Sequence, residues 1–487
     1  MNHIYVNPAR TAGQLDRNVF GAFAEHLARC IYGGIYDPTS RLANDQGQRQ
    51  DVVEAITRLN VSNLRYPGGN FVSGYRWRDG VGPRAERPER LDLAWGVVDT
   101  NHFGTNEFID FCRLVNAEPY LVVNCGDGDL REARDWVEYC NGTETTTLVK
   151  LRQQHGYDAP HRVHYWGIGN EVDGPWQIGR KTPQEYARAF TEFGKVMKWV
   201  DPEIKLVAAG ISDWNGDLVE HGQLLLEQAG KLVDYVDLHF YANNKANDFA
   251  TFMATAESVE NRIAAFEGLI QAVKLDQKIE RDIFLAISEW NVWYRANMQT
   301  DNFQEVYNLE DALVVALFLN VFIRRAHSVK MANLAQIVNT IAPILTRPDG
   351  LVLQTTFFPF ELFSRLAGTA ALDIFWEGDT FSAGDQTGLR TLDVSATFDA
   401  ASSKLAVFVV NRSQDADAET TLVLDVGRFT GSAQINVING PDIKTANTFD
   451  APDQVGVTET TVATQGRSLV HTFPAHSVTA IVCEIAQ

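Results

Sequence analysis

Between about residue 16 and residue 365 the apolar positions follow two alternating rhythms. Short runs, apolar at almost every position, are separated by longer segments whose apolar residues recur every three or four positions. The short runs predict eight strands: VFGAFAEH (19–26), NLRYPGG (63–69), EPYLVVNC (118–125), RVHYWGIGNE (162–171), IKLVAAG (204–210), YVDLHFYA (235–242), IFLAISEW (283–290) and MANLAQIVN (331–339). Segments such as QRQDVVEAITRLN, NEFIDFCRLVNA and TPQEYARAFTEFGKVMKWV predict the helices between them. The last opens at Thr182-Pro183, a capping residue followed by a first-turn proline. Strands joined by helical crossovers predict an α/β fold, a parallel (β/α)8 TIM barrel.

After about residue 366 the helical period stops. LDVSATFD, KLAVFVVNR, TTLVLDV, AQINVING, SLVHTFP and SVTAIVCEI follow, separated by Asp, Ser, Gly and Asn turns. They predict a C-terminal antiparallel β-sandwich, jelly-roll-like in kind. The opening HIYVNP is a further short strand, expected to join that sandwich. The organisation expected is therefore 1–15 as the joining strand, 16–365 as the barrel and 366–487 as the sandwich.

Most of the eight strands begin apolar and end in groups capable of chemistry: Glu25, Arg65 with Asn70, Asn124, Asn170-Glu171, His239 with Tyr241, Glu289 and Gln336. One polar strand end is ordinarily a solvated loop. Seven of eight aim at one place in a barrel, whose active site lies at the C-terminal strand ends.

Charge and composition narrow the partners. With 42 Lys+Arg against 62 Asp+Glu the net charge is −20, which repels phosphate backbones and excludes nucleic acid as an expected partner. The longest apolar stretch, ALVVALFLNVFI (312–323), is too short to cross a bilayer, and the first residues show no apolar leader, so no membrane partner and a cytoplasmic location are expected. The five cysteines are odd in number and lack a CxxC pair, reading as thiols of a reducing compartment. GDGDLR (126–131) lacks the third glycine of a dinucleotide loop, and no P-loop signature is present. His161 and His164 fall at the start of the fourth strand, while His26 and His239, near the mouth, read as hydrogen-bonding supports. Neither a cofactor nor a metal is expected.

Two of the acids stand out. Glu171 ends the fourth strand in WGIGNEVDGPWQIG, and Glu289 ends the seventh in LAISEWNVWY. Strands four and seven face each other across an eight-fold barrel. A carboxyl at the end of an apolar strand beside tryptophans is desolvated, and two facing carboxyls, one protonated and one ionised, can cleave a glycosidic bond. The competing reading makes each glutamate an ion pair of the barrel. Trp95, Trp176, Trp290, Trp293 and Tyr241, in or near strand-end loops, offer faces on which sugars stack, although one or two of these tryptophans are expected in the core.

Over nearly its whole length the sequence resembles the α-L-arabinofuranosidases of glycoside hydrolase family 51. The resemblance rests on FAEHLARCIYGGIYD, NLRYPGGNFVSGYRWRDGVGPR, RLDLAWG, FGTNEFIDFCR, VEYCNG, GIGNEVDGPWQIG, SEWNVWY, NLAQIVNTIAPI and PAHSVTAIV. It implies an exo-acting retaining enzyme that releases terminal arabinofuranose from arabino- and arabinoxylo-oligosaccharides. Glu171 would be the general acid/base and Glu289 the nucleophile. Glu25, Asn70 and Asn170 would bind the furanose hydroxyls, Tyr241 would orient Glu289, and Arg65 would keep it ionised. Gln336 and Trp293 would shape the pocket, and Trp95 would line the approach. The resemblance also implies a homo-oligomer, often a hexamer. The chain departs from the family pattern at Ala22 and Ala28, in CGDGDLREA (125–133), and in the short stretch RANMQTDNFQEVYN after Tyr294, which bears on the leaving group. The rival readings are a β-xylosidase or endoglucanase of the same clan and a non-catalytic sugar-binding protein.

Overall fold

Thr182 does cap its helix: its hydroxyl accepts from the Glu185 amide, Glu185 accepts in return from the Thr182 amide, and Pro183 occupies the first turn of Pro183–Val200. The same alternation of strand and helix recurs along the chain. In the computed structural model, which describes residues 2–298 and 302–486, it closes a parallel barrel. Gln299, Thr300 and Asp301 of the loop after Tyr294 lie outside the described residues, as do Met1 and Gln487.

The barrel strands are β1 (Gly21–Phe23), β2 (Asn63–Tyr66), β3 (Glu118–Val123), β4 (Tyr165–Ile168), β5 (Lys205–Ala208), β6 (Tyr235–Ala242), β7 (Phe284–Val292) and β8 (Val329–Ala335). They neighbour one another in sequence order, β8 closing on β1 through Asn333–Gly21 to Ala335–Phe23. Several are shorter than their apolar runs, so Glu25, Asn170, Glu171 and Gln336 sit in the turns just beyond them. Val72, Tyr120, Val122, Val207, Tyr235, Ala286 and Met331 fill the lumen below, leaving a packed plug with polar groups above it.

The apolar run at 312–323 belongs to a helix, Leu309–Arg324, buried on every side from Leu309 to Ile323. It lies between the barrel and the sandwich, packed against the strand Leu392–Asp399, as a helix apolar all round its circumference must. Asn320, buried in its middle, donates to Asp393 Oδ1 at 2.7 Å and accepts from Ser395 Oγ at 2.6 Å. Among the described residues no helix is long and apolar enough to cross a membrane.

The sandwich packs a seven-stranded sheet on a four-stranded one over Val394, Val407, Val409, Leu422, Ile435 and Ile481. Two segments ahead of the barrel take part. Thr11–Gln14 pairs with Ala370–Leu372, and Asn2–Val6 lies between Phe375–Glu377 and Ala418–Leu424. The pairing with Ala418–Leu424 is parallel, an exception within an otherwise antiparallel unit.

Candidate active site

Strand pleating sets the catalytic face. On β7 the Glu289 side chain points into the barrel mouth, so Trp290 points outward. Trp290 is fully buried against Phe318, Phe322 and Phe360, which removes it from the expected sugar-stacking walls. Asn124 also leaves the site. Its side chain accepts from the Gly126 and Gly128 amides and donates to Tyr75 O, so it shapes its own loop.

The other polar strand ends converge. Glu25, Asn70, Trp95, Asn170, Glu171, Tyr241, Glu289, Trp293 and Gln336 line one cavity of about 370 Å³. Trp176 lines it too, together with Leu27, Phe303, Thr340 and Ile341. Arg65 lies beneath, fully buried, with its guanidinium over the Phe23 ring. It donates to Glu289 Oε1 at 2.7 Å and to Asn170 Oδ1 at 2.6 Å. The barrel ion pair and the catalytic arrangement are thus the same contact.

Tyr241 donates to the other Glu289 oxygen at 2.9 Å. His239 stands between the two glutamates, its Nδ1 3.0 Å from Glu171 Oε1 and 3.8 Å from Glu289 Oε2. Behind it, Nε2 lies 3.4 Å from Asp237 and 3.3 Å from Ser288 Oγ, and Ser288 donates from both amide and hydroxyl to Asp237. A carboxylate oxygen of Glu171 and one of Glu289 lie within 4.8 Å of each other.

Burial and these partners push the two carboxyls apart. Burial raises Glu171 above the usual carboxylate range, and the Glu289 charge adds to that, outweighing the His239 hydrogen bond. Burial would raise Glu289 as well, but His239, Arg65 and Tyr241 together hold it below that range. His239 loses from burial and gains more from Glu289 and Asp237, reaching about 10, so it stands as an imidazolium. Burial and the Glu289 charge push Glu25 up to about 8, against the Phe71 amide and Trp95 indole that donate to it. Gln336 donates to its other oxygen at 2.9 Å.

Two glycines make the crowding possible. A Cβ at Gly69 would lie 3.2 Å from Glu289 Oε1 and 3.4 Å from Glu25 Oε2, inside the space a ligand needs. A Cβ at Gly210 would fall 2.1 Å from the His239 ring. The fifth strand, the one without a polar end, therefore contributes the room into which the imidazole fits.

Phe303 escaped the sequence reading. It closes the mouth edge-to-face with Trp95 and Trp293, at 5.8 and 5.7 Å, and nothing in the period of its loop marks it. His239 holds a more central place than a supporting hydrogen bond. Among the described residues, Glu171, His239 and Glu289 are the set whose donor atoms cluster as metal ligands do. Arg65 and the bridging imidazole already supply these carboxylates with positive charge.

A closed parallel barrel with two facing carboxyls whose acidities are pushed apart in an aromatic-walled pocket defines a glycosidase. Residues 55–261 match the family model described as α-L-arabinofuranosidase 1 domain, and residues 288–477 match the α-L-arabinofuranosidase C-terminal domain, which begins within β7. An intracellular exo-α-(1→5)-L-arabinofuranosidase of Halalkalibacterium halodurans is 40% identical, the match covering 86% of each chain. Among solved structures, the arabinose complex of the Thermotoga maritima α-L-arabinofuranosidase is 37% identical with a TM-score of 0.92 over 99% of each chain. The thermostable enzyme of glycoside hydrolase family 51 (GH51) from Thermotoga petrophila is also 37% identical, with a TM-score of 0.93 over 99% of this chain and 100% of its own. The chain belongs to the α-L-arabinofuranosidases of GH51, and it releases arabinose from arabinofuranosides.

Proposed function

We propose that the enzyme works by double displacement with retention, removing terminal non-reducing arabinofuranose from arabino- and arabinoxylo-oligosaccharides. The observation that carries this is the approach of the two carboxylates within 4.8 Å. Such an approach fits the roughly 5–5.5 Å separation of retaining glycosidases better than the roughly 6.5–9.5 Å of inverting ones.

Glu289, ionised by His239 and Arg65, attacks the anomeric carbon while Glu171 gives its proton to the departing oxygen. The covalent ester has no charge on Glu289. The repulsion that helped keep Glu171 protonated is then gone, and Glu171 takes a proton from the water that attacks next. Asn170, held by Arg65, and Glu25, held by Gln336 and Trp95, present hydrogen-bonding groups to the furanose hydroxyls. At neutral pH Glu25 is largely a neutral acid, able to donate as well as accept.

The substrate class follows from the walls of the cavity, which are apolar and aromatic, and from the α-(1→5) specificity in the name of the H. halodurans relative. That relative is also named intracellular, in keeping with a cytoplasmic enzyme acting on imported oligosaccharides, and we extend the reading to a homo-oligomer. The test of mechanism is proton NMR during hydrolysis of an aryl α-L-arabinofuranoside. First-formed α-arabinose supports double displacement, and first-formed β-arabinose refutes it. Azide added to Glu289→Ala is expected to restore turnover with an inverted arabinosyl azide as product.

A further inference from the structure

Two exposed tryptophans, one lining the cavity and one beyond it, stand beside Glu171. Trp176, in the loop after β4, lines the cavity mouth and is 45% exposed. Trp214, in the loop after β5, is 63% exposed. Their rings meet edge to face at 5.3 Å and 89°. In such a pair each ring keeps at least one face that the other does not cover.

The pair is held in place by the backbone. Asp173, two residues after Glu171 and fully buried, joins the two loops. Its carboxylate accepts from the Ser212 amide at 2.8 Å, the Ser212 hydroxyl at 2.6 Å and the Trp214 amide at 3.3 Å. Its carbonyl accepts from Arg180 at 2.8 Å. The loop carrying the proton donor and the loop carrying Trp214 are therefore one unit. Large aromatic faces on a surface mark binding positions when they continue an existing cleft. Trp176 lines the cavity that holds Glu171, the residue that faces the departing oxygen, and Trp214 adjoins Trp176 outside that lining, so what reaches the pair past Glu171 is leaving group.

We propose that Trp214, with Trp176 behind it, forms an outer leaving-group subsite that stacks the sugar unit next but one to the released arabinose. The ligand class is a neutral oligosaccharide of at least three units, whose ring C–H face covers the indole. The inference rests on the oligosaccharide reading given under Proposed function. A disaccharide substrate ends short of this position, and a trisaccharide reaches it.

The experiment compares kcat/KM for α-(1→5)-arabinobiose and arabinotriose in wild type, Trp214→Ala and Trp214→Phe. The ratio of trisaccharide to disaccharide is expected to fall about tenfold in Trp214→Ala and to be largely kept in Trp214→Phe. A purely structural role would lower both substrates together and leave the ratio unmoved, which would overturn the subsite. A changed molar mass of Trp214→Ala in light scattering, with an unmoved ratio, would assign the face to contact between copies and overturn it equally. If wild type cleaves an aryl arabinofuranoside but neither oligosaccharide, the substrate reading fails and the subsite with it. If wild type cleaves both and Trp214→Ala keeps the wild-type ratio, the subsite alone fails.

Discussion

Arg65 is, with His239, one of two cations on which the charge state of Glu289 leans, and replacing it should move the pH profile in a calculable direction. Its guanidinium lies 2.7 Å from Glu289 Oε1 with both side chains buried. Two unit charges about 4 Å apart interact by about 4 kcal/mol at an effective dielectric of about 20. At 1.36 kcal/mol per pKa unit that is an upper bound of about three units. His239 and Tyr241 remain and carry part of the load, so Arg65→Gln should raise the Glu289 pKa by about one to two units. The nucleophile must be ionised, so the acid limb of kcat/KM should move upward by that amount. Arg65→Lys keeps the charge but not the fork that also reaches Asn170. Its limb should stay near the wild-type position while kcat/KM falls at every pH. The assay is kcat/KM for an aryl arabinofuranoside across the acid limb. Removing one partner of a buried pair costs about 3–5 kcal/mol, so circular dichroism over the same pH range must show the variant folded where the limb is read. An Arg65→Gln limb that coincides with wild type would refute the electrostatic role.

Glu171→Ala should slow an oligosaccharide by about 10²–10⁴-fold and an aryl glycoside with a good leaving group far less, because the latter needs little protonation; equal losses would count against the assignment. Gly210→Ala places a methyl group 2.1 Å from the His239 ring, and displacing that imidazole should cost about 10²-fold in kcat/KM with the circular dichroism spectrum kept. Glu25 has a folded pKa of about 8, above its unfolded value. Between those two pH values the folded state binds more protons than the unfolded one, so its contribution to stability is full at acid pH and is lost as pH rises through about 8. Glu25→Gln should therefore raise the melting temperature relative to wild type by a margin that grows with pH, and a margin flat in pH would refute this.

Periodicity alone located the eight strands and, with them, the faces on which Glu171 and Glu289 meet. Both lie at strand ends, where chain order and barrel closure jointly determine position. Boundaries were less visible: the run at 162–171 is strand only over Tyr165–Ile168, since burial continues through Gly169 and Asn170 into a turn. The strand Gly456–Ala463 left no apolar trace because it forms the exposed outer edge of its sheet. Trp290 misled because Glu289 and Trp290 are neighbours in sequence and opposite in direction. The Asp237–Ser288–His239 chain spans two strands, and Phe303 approaches Trp95 only after folding. Such contacts depend on register between distant segments, which no local pattern encodes.

The placement of Asn2–Val6 between strands that begin at Phe375 and Ala418 orders the life of the chain on the ribosome. Asn2–Val6 is made long before Phe375–Glu377 and Ala418–Leu424 and must wait for them before it acquires its sheet neighbours. Until then Ile4 and Val6, both buried in the finished protein, have no sandwich core to enter. Pairings of such long sequence separation are slow to form and late to be rewarded. The barrel thus grows between two halves of a clasp that shuts only once Ala418–Leu424 has been made. Cutting the chain near residue 365 would leave one fragment with an orphan strand and the other with a gap of the same shape.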